Sequence, residues 1–290
     1  MALIKNIFFI FIIGILIGGC KKPEEKIVPG NIPPPDHTIS NITKENYINR
    51  SYISLLGRKP GDSEFSRGLA ILNKNNLSYE NRQELLDTIF SQPDYADQLF
   101  AIAHINLLNN EDTNEVGFFI GTFQLILLDS NNQGQWEASK MEISRLQDFQ
   151  RIRFELKSGR INSASMHGRC VNNYIYDQIN MGTVNFVVSL WQHFLNRYPT
   201  NAELSGATSM VDGIHSVVFL KSGESKKDFL NIFFQSTDYF EGQVRELYLR
   251  YLFRQPNSSE MSEETIKYKN SKKFKELQYA SGTGILAGAF

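Results

Sequence analysis

Cysteine is nearly absent from this 290-residue chain. The two present, Cys20 and Cys170, are too few for a disulfide framework or a multi-cysteine zinc or iron–sulfur site. Net charge is nearly absent too: it is −1 formally, or −2 once the first 19 residues and their single lysine are set aside. That balance excludes polyanion binding driven by bulk charge. No apolar run reaches the roughly 20 residues that span a bilayer. The chain holds no His-Glu-x-x-His, no Walker loop, no Gly-x-Ser-x-Gly elbow and no Gly-x-Gly-x-x-Gly, so neither cofactor nor metal is expected from its motifs. What is present is 41% hydrophobic and 21% charged residues, enough to bury the core of one large domain or two small ones.

The N-terminus has an address-like layout. Lys5 precedes an apolar run from Ile7 to Ile17, closed by Gly18, Gly19 and Cys20 and followed by Lys21 and Lys22. A run this short, ending at small residues, reads as a signal peptide over residues 1–19. Leu16-Ile17-Gly18-Gly19-Cys20 resembles the bacterial lipobox, and the resemblance implies that Cys20 is acylated. Residues 20–40, with Pro23, Pro29 and the triplet Pro33-Pro34-Pro35, read as an extended tether that builds no core. The Lys-Lys-Pro-Glu-Glu-Lys cluster at 21–26 resembles the export signal of surface lipoproteins in the Bacteroidota. The expected location is therefore a lipid anchor in an outer membrane, facing either the cell surface or the periplasm.

The remainder repeats itself. Arg58-Lys59-Pro60-Gly61-Asp62-Ser63-Glu64-Phe65 aligns with Arg197-Tyr198-Pro199-Thr200-Asn201-Ala202-Glu203-Leu204, and again with Arg254-Gln255-Pro256-Asn257-Ser258-Ser259-Glu260-Met261. Each copy follows a segment of helical periodicity: Ile48, Tyr52, Leu55 and Leu56; Val184, Val187, Val188, Trp191, Phe194 and Leu195; Val244, Leu247, Tyr248, Tyr251 and Leu252. Proline stops the preceding helix, and the residue after it caps the next one, with the glutamate three positions on closing a capping box. The pattern is a helix–corner–helix unit whose arginine suits a helix C-terminus and is placed to bond its last carbonyls. Capping accounts for the Arg/Pro/Glu spacing without a ligand. A second pattern, Phe-x-x-x-Asp-Tyr, occurs at 90–95 and 234–239, and Asp94 and Asp238 are expected to cap the helices that follow.

The predicted fold is all-α: a first helical repeat unit at 41–110, an inserted helical segment and connector at 111–182, and second and third units at 183–290. Within the insertion, Val116 to Leu128 is expected to be a buried helix. Gln135 to Lys157 reads as one helix, and Ser158 to Gly182 as an irregular connector. Tyr52-Ile53-Ser54-Leu55-Leu56-Gly57-Arg58-Lys59-Pro60 and Ser91-Gln92-Pro93-Asp94-Tyr95-Ala96 resemble the helical domain of unknown function of planctomycete cytochrome-associated proteins. The corner is also similar to the Leu-Gly-Arg-x-Pro modules of extracellular proteins and phycobilisome linkers. The likeness covers about 60 residues. It implies a helical fold and a scaffolding role, and its family supplies no catalytic residues; the Cys-x-x-Cys-His haem motif of those proteins is not in this chain.

Few residues are candidates for chemistry. His167 and Cys170 form a two-ligand pattern, too small for a tetrahedral site. Trp136, beside the amide-rich stretch 129–135, is either core or a contact for carbohydrate or protein. The expectation is a non-catalytic binding or scaffolding lipoprotein, with a protein or glycan partner, a membrane partner through the Cys20 lipid, and no nucleic acid. An enzyme or accessory acting on envelope polysaccharide, and a subunit of a larger envelope machine, are the alternatives.

Overall fold

Most helices begin where the chain offers a side-chain oxygen to the first free backbone N–H groups. Ser40, Ser78, Asn162, Asn173, Thr200, Ser225, Ser236 and Asn257 each accept from an N–H two or three residues on. Such caps contribute about 1 kcal/mol apiece. Several helices stop at a residue in the left-handed conformation, including Gly57, Asn109, Asn196 and Phe253.

The computed structural model describes residues 39–275 and Gln278, apart from Asp112. The residues read as a signal peptide, Cys20, most of those read as a tether, and the small apolar stretch 281–290 lie outside the described residues. The fold class is all-α, as predicted: fourteen α-helices and one two-stranded hairpin among the described residues. In chain order the first helices are α1 (Asn41–Leu56), α2 (Asp62–Asn73), α3 (Tyr79–Phe90) and α4 (Asp94–Leu108). Next come α5 (Thr113–Leu128), α6 (Trp136–Gln150), α7 (Ile152–Lys157), α8 (Ser163–Val171) and α9 (Tyr174–Ile179). Then α10 (Thr183–Leu195) and α11 (Asn201–Val211) lead into β1 (Ser216–Val218) and β2 (Lys221–Gly223). The chain continues with α12 (Lys226–Phe234), α13 (Thr237–Leu247), a π-helical turn at Tyr248–Leu252 and α14 (Ser258–Ser271).

Two apolar clusters hold these elements. α1, α2 and α3 close around Tyr47, Ile48, Tyr52, Leu72 and Leu85. A larger cluster centres on Trp191, fully buried, with Phe219 stacked at 5.5 Å, Phe233 at 5.2 Å and Phe229 at 6.1 Å between ring centroids. Each such side chain removed from water stabilises the fold by roughly 1.5–3 kcal/mol, and tilted and offset ring pairs add to that. Tyr251 packs against both clusters and joins them.

The insertion departs from expectation in three ways. The connector is mostly helical, because Asn162 and Asn173 cap α8 and α9. The helix expected over 135–157 breaks into α6 and α7 at Arg151. And α5 is not a buried helix. Its apolar residues run all round its circumference, yet only one side finds neighbours: Val116 is buried, while Phe119 and Phe123 pack edge-on against Tyr174. Phe118, Leu125 and Leu128 remain 69%, 68% and 82% exposed. In α10 the periodicity misplaces Val184, which is exposed, and omits Phe186 and Leu190, which are buried.

Two close approaches depend on glycine. A Cβ on Gly242 of α13 would lie 1.9 Å from the Phe194 carbonyl oxygen of α10, and one on Gly206 of α11 would lie 2.5 Å from the Val217 carbonyl oxygen of β1. Gly242→Ala is expected to cost about 3 kcal/mol by forcing α10 and α13 apart. Gly121→Ala on α5, where the added carbon meets nothing within 4 Å, is expected to stabilise by about 0.5–1 kcal/mol through helix propensity. Urea denaturation of the two variants beside the parent chain checks both signs.

Candidate binding cleft and the corners that frame it

The three corners share one geometry. In the first, Arg58 donates from Nη1 and Nη2 to the two carboxylate oxygens of Glu64, at 2.7 and 2.8 Å, and from Nε to Asp94 at 2.5 Å. In the second, Arg197 holds Glu203 through two bonds of 2.7 Å and reaches Asp238 at 3.0 Å. In the third, Arg254 holds Glu260 at 2.7 and 2.6 Å; no aspartate joins it among the described residues. The same glutamates accept from the backbone N–H of Gly61, Thr200 and Asn257 at 2.7–2.8 Å. Planar guanidinium and planar carboxylate meet fork to fork, which a lysine does not reproduce.

These contacts revise two expectations. The arginines bond the carbonyl of the residue just before the proline, Lys59, Tyr198 or Gln255, and not the last helical carbonyls. The chain has already turned at Gly57, Asn196 or Phe253, so the guanidinium points across the corner. Asp94 and Asp238 do not cap: Pro93 and Ser236 occupy the cap positions, and the Ser236 hydroxyl accepts from the Tyr239 N–H at 3.1 Å. The aspartates sit in the first turn and carry the arginine's charge from the corner to α4 or α13. Pro60, Pro199 and Pro256 each precede the capping residue.

The other residues singled out from sequence lie apart. Trp136 is half-buried, and its indole N–H donates to the carbonyls of Ile126 and Asp129 at 3.2 and 3.4 Å, which ties α6 to the end of α5. Cys170 is buried in the larger cluster, and burial pushes its thiol up. His167 Nδ1 lies 2.9 Å from the Tyr239 hydroxyl, and burial pushes the imidazole down to about 4. Among the described residues no group of three His, Cys, Asp or Glu side chains is placed to hold a metal ion. His167 and His193 line a cavity of about 310 Å³ among α4, α8, α10 and α13.

A far larger space lies elsewhere. A cleft of about 1380 Å³ is lined by α12 together with residues of α6, α8, the start of α11, the hairpin, α13 and the end of α14. Its carboxylates are already engaged: Glu203 and Asp238 with Arg197, and Asp148 with Arg151. Several of its cations are not. Lys221, Lys227 and Lys272 make no ion pair among the described residues, and Lys269 bonds only the Thr237 hydroxyl, at 3.0 Å. A rim of positive charge thus stands on a chain of near-zero net charge.

The hairpin at this rim is strained. Val218 pairs with Lys221, so Phe219 and Leu220 form a two-residue turn, with φ of 51° and 60°. That turn suits Asn-Gly, and bulky L-residues there cost about 1–2 kcal/mol each. Phe219 is compensated by stacking on Trp191. Leu220 is not: it is 98% exposed and touches the cleft. Sequence reading missed this set because the lysines come from three separate elements and the turn lacks the residues that signal a hairpin.

The corner glutamates titrate usefully. Hydrogen bonds from arginine and backbone hold Glu64, Glu203 and Glu260 at about 2, below the ordinary 4.5. Their contribution is therefore complete above pH 4.5 and is lost as pH falls through 2. Glu203→Gln is expected to lower stability at pH 7 by about 1–2 kcal/mol, allowing for the solvent that reaches the pair. The gap should close towards pH 2, as urea midpoints at the two pH values will reveal.

The chain matches no protein-family model, no curated protein and no solved structure at a significant level.

Proposed function

We propose that this chain is an exported lipoprotein, anchored through Cys20 at the outer membrane or cell surface, that works by binding or scaffolding rather than by catalysis. The observation that carries the binding role is the open cleft with an exposed apolar turn and, at its rim, lysines that make no ion pair among the described residues. Its volume exceeds the roughly 300–1,000 Å³ typical of small-molecule sites and suits an extended segment. The anchoring part rests on the lipobox-like residues Leu16 to Cys20. Among the described residues no helix is long and apolar enough to cross a membrane.

Two observations weigh the alternatives. Cleavage of a polysaccharide needs a carboxyl group kept protonated near neutral pH as general acid. Glu203, in the cleft, is pulled the other way, to about 2, by Arg197. The reading as a subunit of a larger envelope machine draws support from α5, whose Phe118, Leu125 and Leu128 present an uncovered apolar face.

The anchor is tested by fractionation: Cys20→Ala is expected to move the protein from the membrane to the soluble fraction, and its retention in the membrane would overturn the anchoring. Protease added to intact cells separates the two orientations. Loss of the protein while a periplasmic control survives means surface display, and protection means a periplasmic partner.

A further inference from the structure

The cleft's occupant can be described by its chemistry. Its rim is cationic: Lys221 on β2, Lys227 at the start of α12, and Lys269 and Lys272 at the end of α14. None of these four makes an ion pair among the described residues, although Asp228 lies near Lys227, whereas the carboxylates that line the cleft are all taken up by arginines. A complementary ligand is therefore acidic. Its second requirement is apolar. Leu220 stands almost wholly in solvent on a turn that resists bulky residues, and Met141, on the α6 side of the same cleft, is 48% exposed. An exposed leucine held at a conformational cost contributes nothing to the free fold. It becomes favourable only when something covers it.

The aromatic residues decide between an acidic protein segment and an acidic sugar. Sugar sites present open ring faces. Here Phe219 lies flat on Trp191, and Phe234 and Phe240 are buried, so the aromatic side chains of the lining are committed to the core. What remains exposed is Leu220, Met141 and the lysines, with the amides and hydroxyls of Asn231, Gln235, Thr237 and Asn270 between them; the aliphatic pair is matched by apolar side chains and not by a sugar.

We propose that the cleft receives an acidic segment of a partner protein carrying apolar side chains, with Leu220 as the apolar anchor and Lys221, Lys227, Lys269 and Lys272 as the charged rim. This rests on the binding role proposed above and specifies its ligand. The segment lies along α12, its apolar residues meeting Leu220 and Met141 and its carboxylates meeting the lysines.

The test uses the full-length chain and a fluorescein-labelled peptide of repeating Glu-Leu-Glu-Ser, about 12 residues long, read by fluorescence anisotropy. Binding is expected in the range of about 1–100 µM, weakening with added salt. The same peptide with Lys for Glu, or with Ser for Leu, should bind at least ~10-fold more weakly. Leu220→Gly should weaken binding about 10-fold while the thermal midpoint holds or rises, because glycine relaxes the turn. Lys227→Glu with Lys269→Glu should abolish binding without loss of helical circular dichroism. The proposal is overturned if the acidic peptide fails to bind the folded chain, or binds Leu220→Gly as tightly as the parent. It is also overturned if alginate, an anionic polysaccharide, displaces the peptide and itself binds independently of Leu220. Any of these leaves the broader binding role standing. Cleavage of the peptide or of alginate, seen by mass spectrometry, would instead sink the non-catalytic reading.

Discussion

Each repeat of this protein turns on one guanidinium. Where a helix ends against a proline, the chain must leave in a new direction, and the backbone groups freed at the turn need partners. Arg58, Arg197 and Arg254 meet that need in the same way: a two-pronged grip on the glutamate that caps the next helix, and a bond to the carbonyl before the proline. In the first two corners the arginine also reaches an aspartate in a later helix. A local turn becomes a tertiary joint, since Asp94 and Asp238 belong to elements about 40 residues further along. Exposure of the pairs, with Arg58 and Arg197 each 38% accessible, keeps the energy of each joint modest. Its value lies in geometry: fork-to-fork bonding sets the angle between helices more sharply than apolar contact does.

With the corners set, packing follows. α10 and α13 approach so closely that only glycine fits at 242, and the aromatic cluster around Trp191 fills the space between them and α12. The hairpin extends that cluster by one ring, Phe219. The same turn that seats that ring on Trp191 presents Leu220 to solvent. The cleft lies beside that core, along α12 and between residues of the insertion and the end of α14. Its lysines add the one strongly polar character that the corners leave unspent, because the corner acids are bound to their own arginines.

α5 and the hairpin illustrate where periodicity misleads. A run from Val116 to Leu128 that is apolar on all sides reads as interior, but interior position depends on what surrounds a helix, and here α6 and Tyr174 cover only part of it. At 158–182 the opposite error arises. The stretch reads as an irregular connector, yet asparagine caps start two brief helices that tertiary packing sustains. Trp136 reads as core ahead of a contact; the structure leaves it half-buried, with its indole N–H taken by the end of α5.

The sequence by itself determined the helical class, the three corners and the residues that make them, because proline, capping glutamate and arginine act within eight positions of one another. Helical periodicity likewise identified most of the buried faces, such as Ile48, Tyr52 and Leu55 on α1. Only the tertiary structure decided that Asp94 and Asp238 serve the corners rather than cap helices, that one side of α5 is left bare, and that Lys221, Lys227, Lys269 and Lys272 share one rim. Those outcomes join residues far apart along the chain. Their distances are fixed by how the apolar clusters close, and no local spacing rule encodes that closure.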